Sequence, residues 1–333
     1  MPTWASFRRL TVKVLLTGAT GIIGPDVLTR LLARGDDVCV LARPDTMDKI
    51  KHRDRIEVVA GDLSDTKALE KATQGCEIVY HLAGLTIGAG LRELTDVNVI
   101  GTEKLLRACE AAEINRFVFL SSVAVYAPAP TPNRWPVTEE RAIRAYGNPN
   151  LKNYAQSKID AEKEVLRFQG KGKFDCTILR SAPVYSKKAP RIRELVERLI
   201  QNPWQAVNPR SREVRMHWVH IHDLSKAVVL AGNRRAAANQ IFNIAGPDVF
   251  TAATILALVK GFPAEDLFEA RLSDAGTLKY DITKANRILG YTPKVRLESG
   301  LRELASTMNE WPRRPRFRRS PISAQAWRRS RGT

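Results

Sequence analysis

The sequence has few cysteines, no long apolar run and no internal repeat. Its four cysteines are Cys39, Cys76, Cys109 and Cys176, and no two of them form a C-x-x-C pair. Their scatter argues against a disulfide framework or a metal site, and it predicts buried thiols in a reducing compartment, the cytoplasm. Because no apolar stretch is long enough to cross a bilayer, we expect neither a membrane span nor a membrane partner.

Acidic residues are too few to balance the basic ones. The chain has 53 Lys and Arg against 35 Asp and Glu, a formal net charge of +18. Much of the excess lies in 311–333, which contains eight arginines and no acid. This composition predicts a disordered basic tail. A solvated tail is favoured over a nucleic-acid contact, because no aromatic-interleaved basic motif accompanies it.

Strand-like and helix-like patterns alternate along the first half of the chain. The 333 residues, 44% of them hydrophobic, can bury a core in one large or two coupled domains. The alternation predicts an α/β fold with a Rossmann-type, doubly wound parallel sheet. The predicted strands are 12–17, 37–42, 56–60, 77–82, 116–121 and 174–180, and the predicted helices are 22–34, 66–73, 91–112 and 151–169.

The pattern becomes irregular after about residue 180, where short helices mix with short strands near 217–222 and 240–244. We therefore predict a Rossmann domain at 12–180 and a smaller, partly interleaved substrate lobe at 181–310, followed by the tail at 311–333. The prediction leaves open that some segments of the lobe belong to the Rossmann sheet.

A glycine-rich turn follows the first predicted strand. It reads Thr17-Gly18-Ala19-Thr20-Gly21-Ile22-Ile23-Gly24 and opens a helical pattern. Backbone N–H groups at such a helix N-terminus attract a pyrophosphate. Gly18 suits a turn with positive φ, Gly21 lets a phosphate approach, and Gly24 lets the helix pack on the strand. The turn therefore predicts a dinucleotide site.

Two further patterns carry candidate chemistry. Tyr154 and Lys158 lie four residues apart in a helical pattern, which places both on one helix face. A nearby ammonium favours a phenolate, so this tyrosine could exchange a proton with a substrate hydroxyl or carbonyl. Ser121 and Ser122 end an apolar strand, where a hydroxyl could bind the same substrate oxygen. A surface helix pair and simple turn chemistry are the alternatives.

The ordered motifs resemble those of the extended short-chain dehydrogenase/reductases, the NAD-dependent epimerase/dehydratase family, over about residues 12–308. This resemblance implies an enzyme that transfers hydride between a nicotinamide and a secondary alcohol or ketone carbon. Further shared motifs are Gly61-Asp62-Leu63, His81-Leu82-Ala83-Gly84, Asn98-Val99-Ile100-Gly101-Thr102, Leu179-Arg180, Val219-His220-Ile221-His222-Asp223 and Leu289-Gly290-Tyr291-Thr292-Pro293.

The resemblance also implies roles for individual residues. Tyr154 would be the acid/base, Lys158 would bind the nicotinamide ribose, Ser122 would be the catalytic serine, and Asn98 would support the site. The cofactor would contact Gly18, Thr20, Gly21, Ile22, Ile23, Gly24, Arg43, Asp62, Leu63, Leu82, Ala83, Gly84, Tyr154, Lys158, Pro183 and Val184. The substrate would contact Thr86, Ser122, Val123, Tyr154, Arg191 and Arg215. No metal is expected, because the resemblance assigns His217, His220 and His222 to a strand that closes the substrate lobe.

The end of the second predicted strand bears on the choice of cofactor. NAD-preferring members of the family place an acid where this sequence has Ala42. The next residue, Arg43, suits a 2′-phosphate. NADP is therefore favoured over NAD, with an exposed loop arginine as the simpler interpretation.

The residues around the active site limit the reaction and the substrate. Val123 and Ala124 follow Ser122 where dehydratases of the family carry acids, so dehydration is disfavoured. The basic segment 187–215 indicates either an anionic small-molecule substrate, such as a nucleotide diphosphate, or a solvated helix face. Pro183 replaces an asparagine that contacts the substrate in many nucleotide-sugar enzymes.

Three functions stay open from the sequence. The first is epimerisation of a sugar or nucleotide sugar. The second is an NADPH-dependent carbonyl reductase or hydroxysteroid-like dehydrogenase, favoured by Arg43 and Pro183. The third, motivated by the basic tail, is a non-catalytic nucleotide-binding scaffold or RNA-associated protein. Analogy with the family also implies a homodimer formed through 91–112 and 151–169.

Overall fold

The computed structural model describes residues 11–127, 136–202, 215–259 and 279–307, so the predicted tail at 311–333 lies outside the described residues. Its strands follow the predicted alternation with helices. They are β1 (Lys13–Thr17), β2 (Asp37–Ala42), β3 (Glu57–Ala60), β4 (Ile78–His81), β5 (Arg116–Ser122), β6 (Asp175–Ser181), β7 (Val184–Tyr185), β8 (Arg215–His217), β9 (Val219–His220), β10 (Gln240–Ile244) and β11 (Val249–Thr251).

The helices connect these strands. They are α1 (Gly24–Arg34), α2 (Thr66–Thr73), α3 (Leu91–Leu94), α4 (Gly101–Ala111), α5 (Pro149–Gly170), α6 (Pro190–Gln201), α7 (Ile221–Asn233), α8 (Ala252–Val259), α9 (Thr283–Leu289) and α10 (Leu297–Ala305). None of the described helices has the length and apolar character needed to span a bilayer.

A seven-stranded parallel sheet forms the centre of the protein, in the order β10-β6-β5-β4-β1-β2-β3. The middle of its central strands is largely apolar because both faces of the sheet are covered. In β1, Val14 and Leu16 pack into the core on the side of α1, whereas Leu15 packs on the side of α2 and α4. The predicted Rossmann-type, doubly wound α/β fold is confirmed.

The second half of the chain supplies both the sheet and a small lobe. The strand predicted near 240–244 is β10, which pairs with β6 and so extends the central sheet. The strand predicted at 217–222 is wrong beyond His220, because α7 begins at Ile221 and packs against α1. A separate apolar cluster, which includes Ile192, Phe250 and Leu301, forms the core of the lobe.

The helix predicted at 91–112 is interrupted. The segment Thr95–Ile100 between α3 and α4 is a π-helical turn. Asn98 in this turn is 2% exposed and forms hydrogen bonds with two other segments. A π turn inserts an extra residue into the helix and often occurs at functional sites, so this irregularity marks a region of interest.

The four cysteines are free and buried, as the sequence predicts. Burial raises the pKa of the Cys39 thiol to about 12 and that of Cys76 to about 11. Neutral, inaccessible thiols of this kind act as small apolar groups in the core.

Candidate active site

The glycine turn has the geometry that its sequence predicts. Gly18 has a φ of 75°, and its carbonyl accepts a 3.0 Å hydrogen bond from the N–H of Gly21. A Cβ atom at Gly18 would lie 2.7 Å from the backbone nitrogen of Ala83, and one at Gly24 would collide with the Gly18 carbonyl. A Cβ atom at Gly21 would meet only the Gly18 oxygen, at 3.3 Å, so the outer side of the turn is open.

A cavity of about 570 Å³ lies between this turn and the ends of β4, β5 and β6. It occupies the carboxyl edge of the sheet, where ligands bind in doubly wound folds. The cavity brings together most of the residues predicted for the site: Gly18, Gly21, Ile22, Ile23, Gly24, Leu82, Gly84, Thr86, Ser122, Val123, Tyr154, Lys158, Pro183 and Val184.

Lys158 lies in the cavity wall and is 7% exposed. Its Nζ donates a 3.0 Å hydrogen bond to the Leu120 carbonyl and lies 4.8 Å from the centre of the Phe119 ring. Burial lowers the pKa of Lys158 to about 8, and the carboxylate of Glu162 opposes that shift. A Cβ atom at Gly84 would lie 3.6 Å from this Nζ, so the glycine keeps the space beside the lysine open.

The two serines that end β5 bind different partners. Ser122 lines the cavity, and its Oγ accepts a 3.1 Å hydrogen bond from the N–H of Ala124. Ser121 donates from its Oγ to the Glu162 carboxylate at 2.5 Å. The Ser122 hydroxyl hydrogen can therefore point to a substrate oxygen, whereas the Ser121 hydroxyl is used inside the protein.

Glu162 and Arg180 form a fully buried ion pair behind this wall. Arg180 donates from Nη2 to Glu162 Oε2 at 2.7 Å and from Nε to Oε1 at 3.1 Å. The Arg180 Nη1 also donates to the Glu139 carbonyl at 3.1 Å and to the Tyr126 hydroxyl at 3.3 Å. The pair thus joins α5 to the ends of β5 and β6, which carry cavity residues.

Asn98 does not line the cavity but connects its walls. Its Oδ1 accepts a 2.7 Å hydrogen bond from the N–H of Leu85, and its Nδ2 donates to the Ser157 hydroxyl at 2.9 Å. Ser157 donates in turn to the Tyr154 carbonyl at 2.8 Å. Asn98 thus bridges the segment after β4 and helix α5, and its role in supporting catalysis stays a prediction.

Several predicted cofactor residues lie outside the cavity wall. Arg43 is exposed and pairs with Asp45 at 3.4 Å. Asp62 is also exposed and accepts hydrogen bonds from Ser64, which together lower its pKa. The others outside the wall are Thr20, Leu63, which packs into the core beside Gly101, and Ala83, which packs in the core on the α2 and α4 side. These assignments stay predictions.

The predicted substrate arginines cannot be placed, since the side chains of Arg191 and Arg215 lie outside the described part of the structure. Elsewhere in the basic segment, Lys187 pairs with Glu303 at 3.1 Å and Arg193 donates to the Thr307 hydroxyl at 2.9 Å. These two cations bind residues in and just after α10 rather than the cavity.

The histidines near 217–222 have structural partners. His217 contacts the Gly246 carbonyl through Nε2 at 2.8 Å and accepts from the N–H of Tyr280 through Nδ1. His220 precedes α7 as its N-cap residue. In the described residues, no three His, Cys, Asp or Glu side chains are grouped to hold a metal. Asp223 in the first turn of α7 accepts from the N–H groups of Lys294 and Val295.

Residues 14–245 match the NAD dependent epimerase/dehydratase family. The chain belongs to this family. A relative is the UDP-glucose 4-epimerase of Mycolicibacterium smegmatis, 28% identical over 314 residues that cover 87% of this chain and 96% of that protein. Another is a 3 beta-hydroxysteroid dehydrogenase/Delta 5-->4-isomerase of Mycobacterium tuberculosis. It is 27% identical over 228 residues, or 66% of this chain and 60% of that protein.

Solved structures share the fold of this epimerase/dehydratase-family chain. A short-chain dehydrogenase/reductase superfamily protein from Agrobacterium tumefaciens with bound NAD has a TM-score of 0.69 and 24% identity, covering 96% of this chain and 100% of that one. A UDP-glucose 4-epimerase from Thermotoga maritima with UDP-glucose has a TM-score of 0.69 and 22% identity, covering 88% and 97%. The predicted enzyme class, an extended short-chain dehydrogenase/reductase, is confirmed.

Sequence reasoning missed three residues at or behind the cavity. Tyr280 lines it, although it follows an irregular stretch of sequence. Glu162 could have been found, because it stands four residues after Lys158 on the same helix face. His81 was noted only as part of a motif, and its ring lies fully buried beside the cavity.

Proposed function

We propose that this enzyme transfers hydride reversibly between NAD(P) and a secondary alcohol or ketone carbon, and that its substrate is a sugar or nucleotide sugar that it epimerises. The observation that carries the proposal is the cavity wall formed by Ser122, Tyr154 and Lys158 opposite the glycine turn. The UDP-glucose 4-epimerase of Mycolicibacterium smegmatis, aligned over most of both chains, supports the choice of substrate.

The cavity suits a dinucleotide because glycines form its floor where any side chain would intrude. The N-terminus of α1 and the open side of Gly21 would hold the pyrophosphate, and Gly84 leaves room beside Lys158 for the nicotinamide ribose. When bound, the nicotinamide accepts and returns hydride. Everything else in the reaction falls to side chains of this chain.

Tyr154 would move the proton. As a general base it takes the proton of the substrate hydroxyl when the carbon is oxidised, and it returns the proton when the carbon is reduced. Lys158, cationic below a pH of about 8, would stabilise the phenolate form. The Ser122 hydroxyl would donate to the same substrate oxygen. Val123 and Ala124 beside it have no proton to transfer, which is consistent with epimerisation rather than dehydration.

A second candidate is oxidation or reduction of an apolar hydroxy compound, such as a hydroxysteroid. It is favoured by the apolar side chains of the wall beyond Ser122, namely Val123, Leu151, Ala182, Pro183 and Val184. The relative of Mycobacterium tuberculosis points the same way, although it matches over a smaller part of the chain.

For the cofactor we propose NADP over NAD, since Arg43 is exposed just after β2 and is paired only loosely with Asp45. Arg43→Ala is then expected to weaken NADPH binding by about 10-fold or more and to leave NADH binding unchanged. Arg53→Ala is the matched control, because Arg53 is a similarly exposed arginine paired with Asp48 at 3.5 Å. Equal losses for both cofactors would refute this role.

We also propose a homodimer through the helical segments 91–112, which contains α3, the π turn and α4, and 151–169 of α5. Leu91, Ile100 and Leu166 are exposed apolar residues of this helical region. Light scattering coupled to size-exclusion chromatography would test it, with Leu166→Glu as the variant expected to give monomers.

The function is tested by identifying the nucleotide released from freshly purified protein and then assaying UDP-glucose against a 3 beta-hydroxysteroid. Tightly held, recycled cofactor with UDP-glucose turnover supports the epimerase. Exchangeable NADPH with steroid turnover supports the second candidate. Binding of neither cofactor would refute both and favour the nucleic-acid or scaffold alternative.

A further inference from the structure

His81, the last residue of β4, has a ring that is held at both nitrogens. It is 1% exposed and packs between Phe117 and Phe119, each with a ring centre 5.7 Å away. Its Nδ1 lies 2.8 Å from the Thr17 hydroxyl at the end of β1. Its Nε2 lies 2.9 Å from the Thr102 hydroxyl in α4.

The surrounding hydrogen bonds determine where the ring proton lies. Thr102 donates its hydroxyl hydrogen to the Asn98 carbonyl at 2.7 Å, so its oxygen must accept from Nε2–H of His81. Nδ1 is then the acceptor of the Thr17 hydroxyl hydrogen. The Thr17 oxygen itself accepts from the N–H of Ala83 at 3.3 Å. Every hydrogen of this network has an acceptor of its own if His81 is neutral and carries its proton on Nε2, and in no other protonation state of the ring.

A charged imidazole would break this order. With hydrogens on both nitrogens, the ring would donate from Nδ1 to the Thr17 oxygen, which already accepts from the N–H of Ala83. The Thr17 hydroxyl hydrogen would then lose Nδ1 as its acceptor. Burial, together with the charge of Lys158, accordingly lowers the pKa of His81 to about 3. The ring is thus neutral throughout the pH range in which the protein would work.

The two ends of this chain of hydrogen bonds reach the two halves of the site. On one side, Thr17 precedes the glycine turn, and Ala83 stands between Leu82 and Gly84, the two residues of this segment that line the cavity. On the other side, the Asn98 side chain binds Ser157, which donates to the carbonyl of Tyr154. Asn98 also links the segment after β4 to α5, and His81 adds a second link, from the end of β1 to α4.

We propose that His81 is a positioning residue, which through its neutral Nε2–H form holds the β1 and β4 ends of the cofactor site in register with the helix that carries Tyr154. His81 is not among the residues that line the cavity. The proposal rests on the proposed function only where turnover is the readout.

The test uses the two threonines, because a His81 variant could simply fail to fold. Thr102→Val removes the acceptor of the Nε2 proton and is expected to lower kcat by about 10- to 100-fold with little change in cofactor Kd. Thr17→Val is expected to raise the cofactor Kd by about 10-fold. Thr102→Ser and Thr17→Ser keep the hydroxyls and should restore wild-type values.

Thr73→Val is the matched control, since Thr73 is a fully buried threonine in α2 whose hydroxyl donates to the Leu69 carbonyl. Each variant is assayed at the same temperature interval below its own Tm, so that differences in thermal stability do not affect the comparison. Losses in kcat and cofactor affinity no larger than those of Thr73→Val would overturn the proposal.

The tautomer is measured without substrate, by ¹⁵N NMR of histidine-labelled protein. A neutral Nε2–H ring at His81 between about pH 5 and 8 supports the inference. A charged ring or an Nδ1–H ring would overturn it. If the ring and the cofactor Kd behave as expected while no candidate substrate turns over, the proposed function fails and the positioning role stands.

Discussion

Replacing Glu162 by glutamine would leave the guanidinium of Arg180 as an unpaired charge in the core. In the native protein the carboxylate of Glu162 is 0% exposed and accepts hydrogen bonds from Arg180 and Ser121. Glutamine can still accept from Ser121, but its amide hydrogens would face the Arg180 donors. The substitution therefore removes the negative charge that neutralises Arg180 but keeps the shape of the side chain.

The expected cost follows from burial. Breaking a buried ion pair by removing one partner typically destabilises a protein by about 3–5 kcal/mol, because the other charge stays desolvated. An exposed pair contributes only about 0–1 kcal/mol. Glu298→Gln is the matched control, since Glu298 in α10 pairs with Arg302 at 2.5 Å and both side chains of this pair are exposed.

The assay is equilibrium unfolding in urea, monitored by tryptophan fluorescence and circular dichroism. Glu162→Gln should lower the free energy of unfolding by several kcal/mol, and Glu298→Gln should lower it by less than about 1 kcal/mol. Glu162→Gln combined with Arg180→Met should be more stable than Glu162→Gln alone, because both charges are then absent. Equal effects at positions 162 and 298 would refute the reasoning.

Three further outcomes are expected. Tyr154→Phe should lower kcat by about 10²- to 10⁴-fold with cofactor Kd unchanged; near-normal turnover would remove Tyr154 from the mechanism. Gly24→Ala should abolish cofactor binding, since its Cβ would collide with Gly18, whereas Gly170→Ala, where a Cβ atom meets nothing, should not. Burial lowers the pKa of Lys158 to about 8, so the unfolded chain binds more protons than the folded protein between about pH 8 and 10.4. Over that range the free energy of unfolding of the wild type should rise by about 3 kcal/mol relative to that of Lys158→Met. A difference between the two proteins that does not change with pH would contradict the lowered pKa.

Local patterns in the sequence were sufficient for the sheet and for the cofactor turn. Apolar runs such as Val14–Leu16 predict buried parallel strands, because strands covered on both faces need no polar alternation. The spacing of Gly18, Gly21 and Gly24 predicts the turn. A Cβ atom at Gly18 or Gly24 would collide with neighbouring backbone, and Gly21 leaves the outer side of the turn open. These signals lie within a few residues of one another, so no knowledge of distant contacts is needed.

Boundaries in the second half were harder to predict. The end of β9 at His220 and the start of α7 at the next residue have no turn residue between them. The π turn around Asn98 also has no sequence signature of its own. Its extra residue is stabilised by hydrogen bonds to Leu85 and Ser157, which lie far along the chain.

Local sequence patterns are enough to infer the fold class, the glycine turn and the three candidate side chains Ser122, Tyr154 and Lys158. Contacts between distant segments bring these side chains into one cavity, pair Glu162 with Arg180 and join β1 to α4 through His81. The two groups of features differ in the range of the interactions that produce them. Strand and turn preferences act between near neighbours, whereas burial and hydrogen-bond satisfaction depend on which distant segments the sheet brings together.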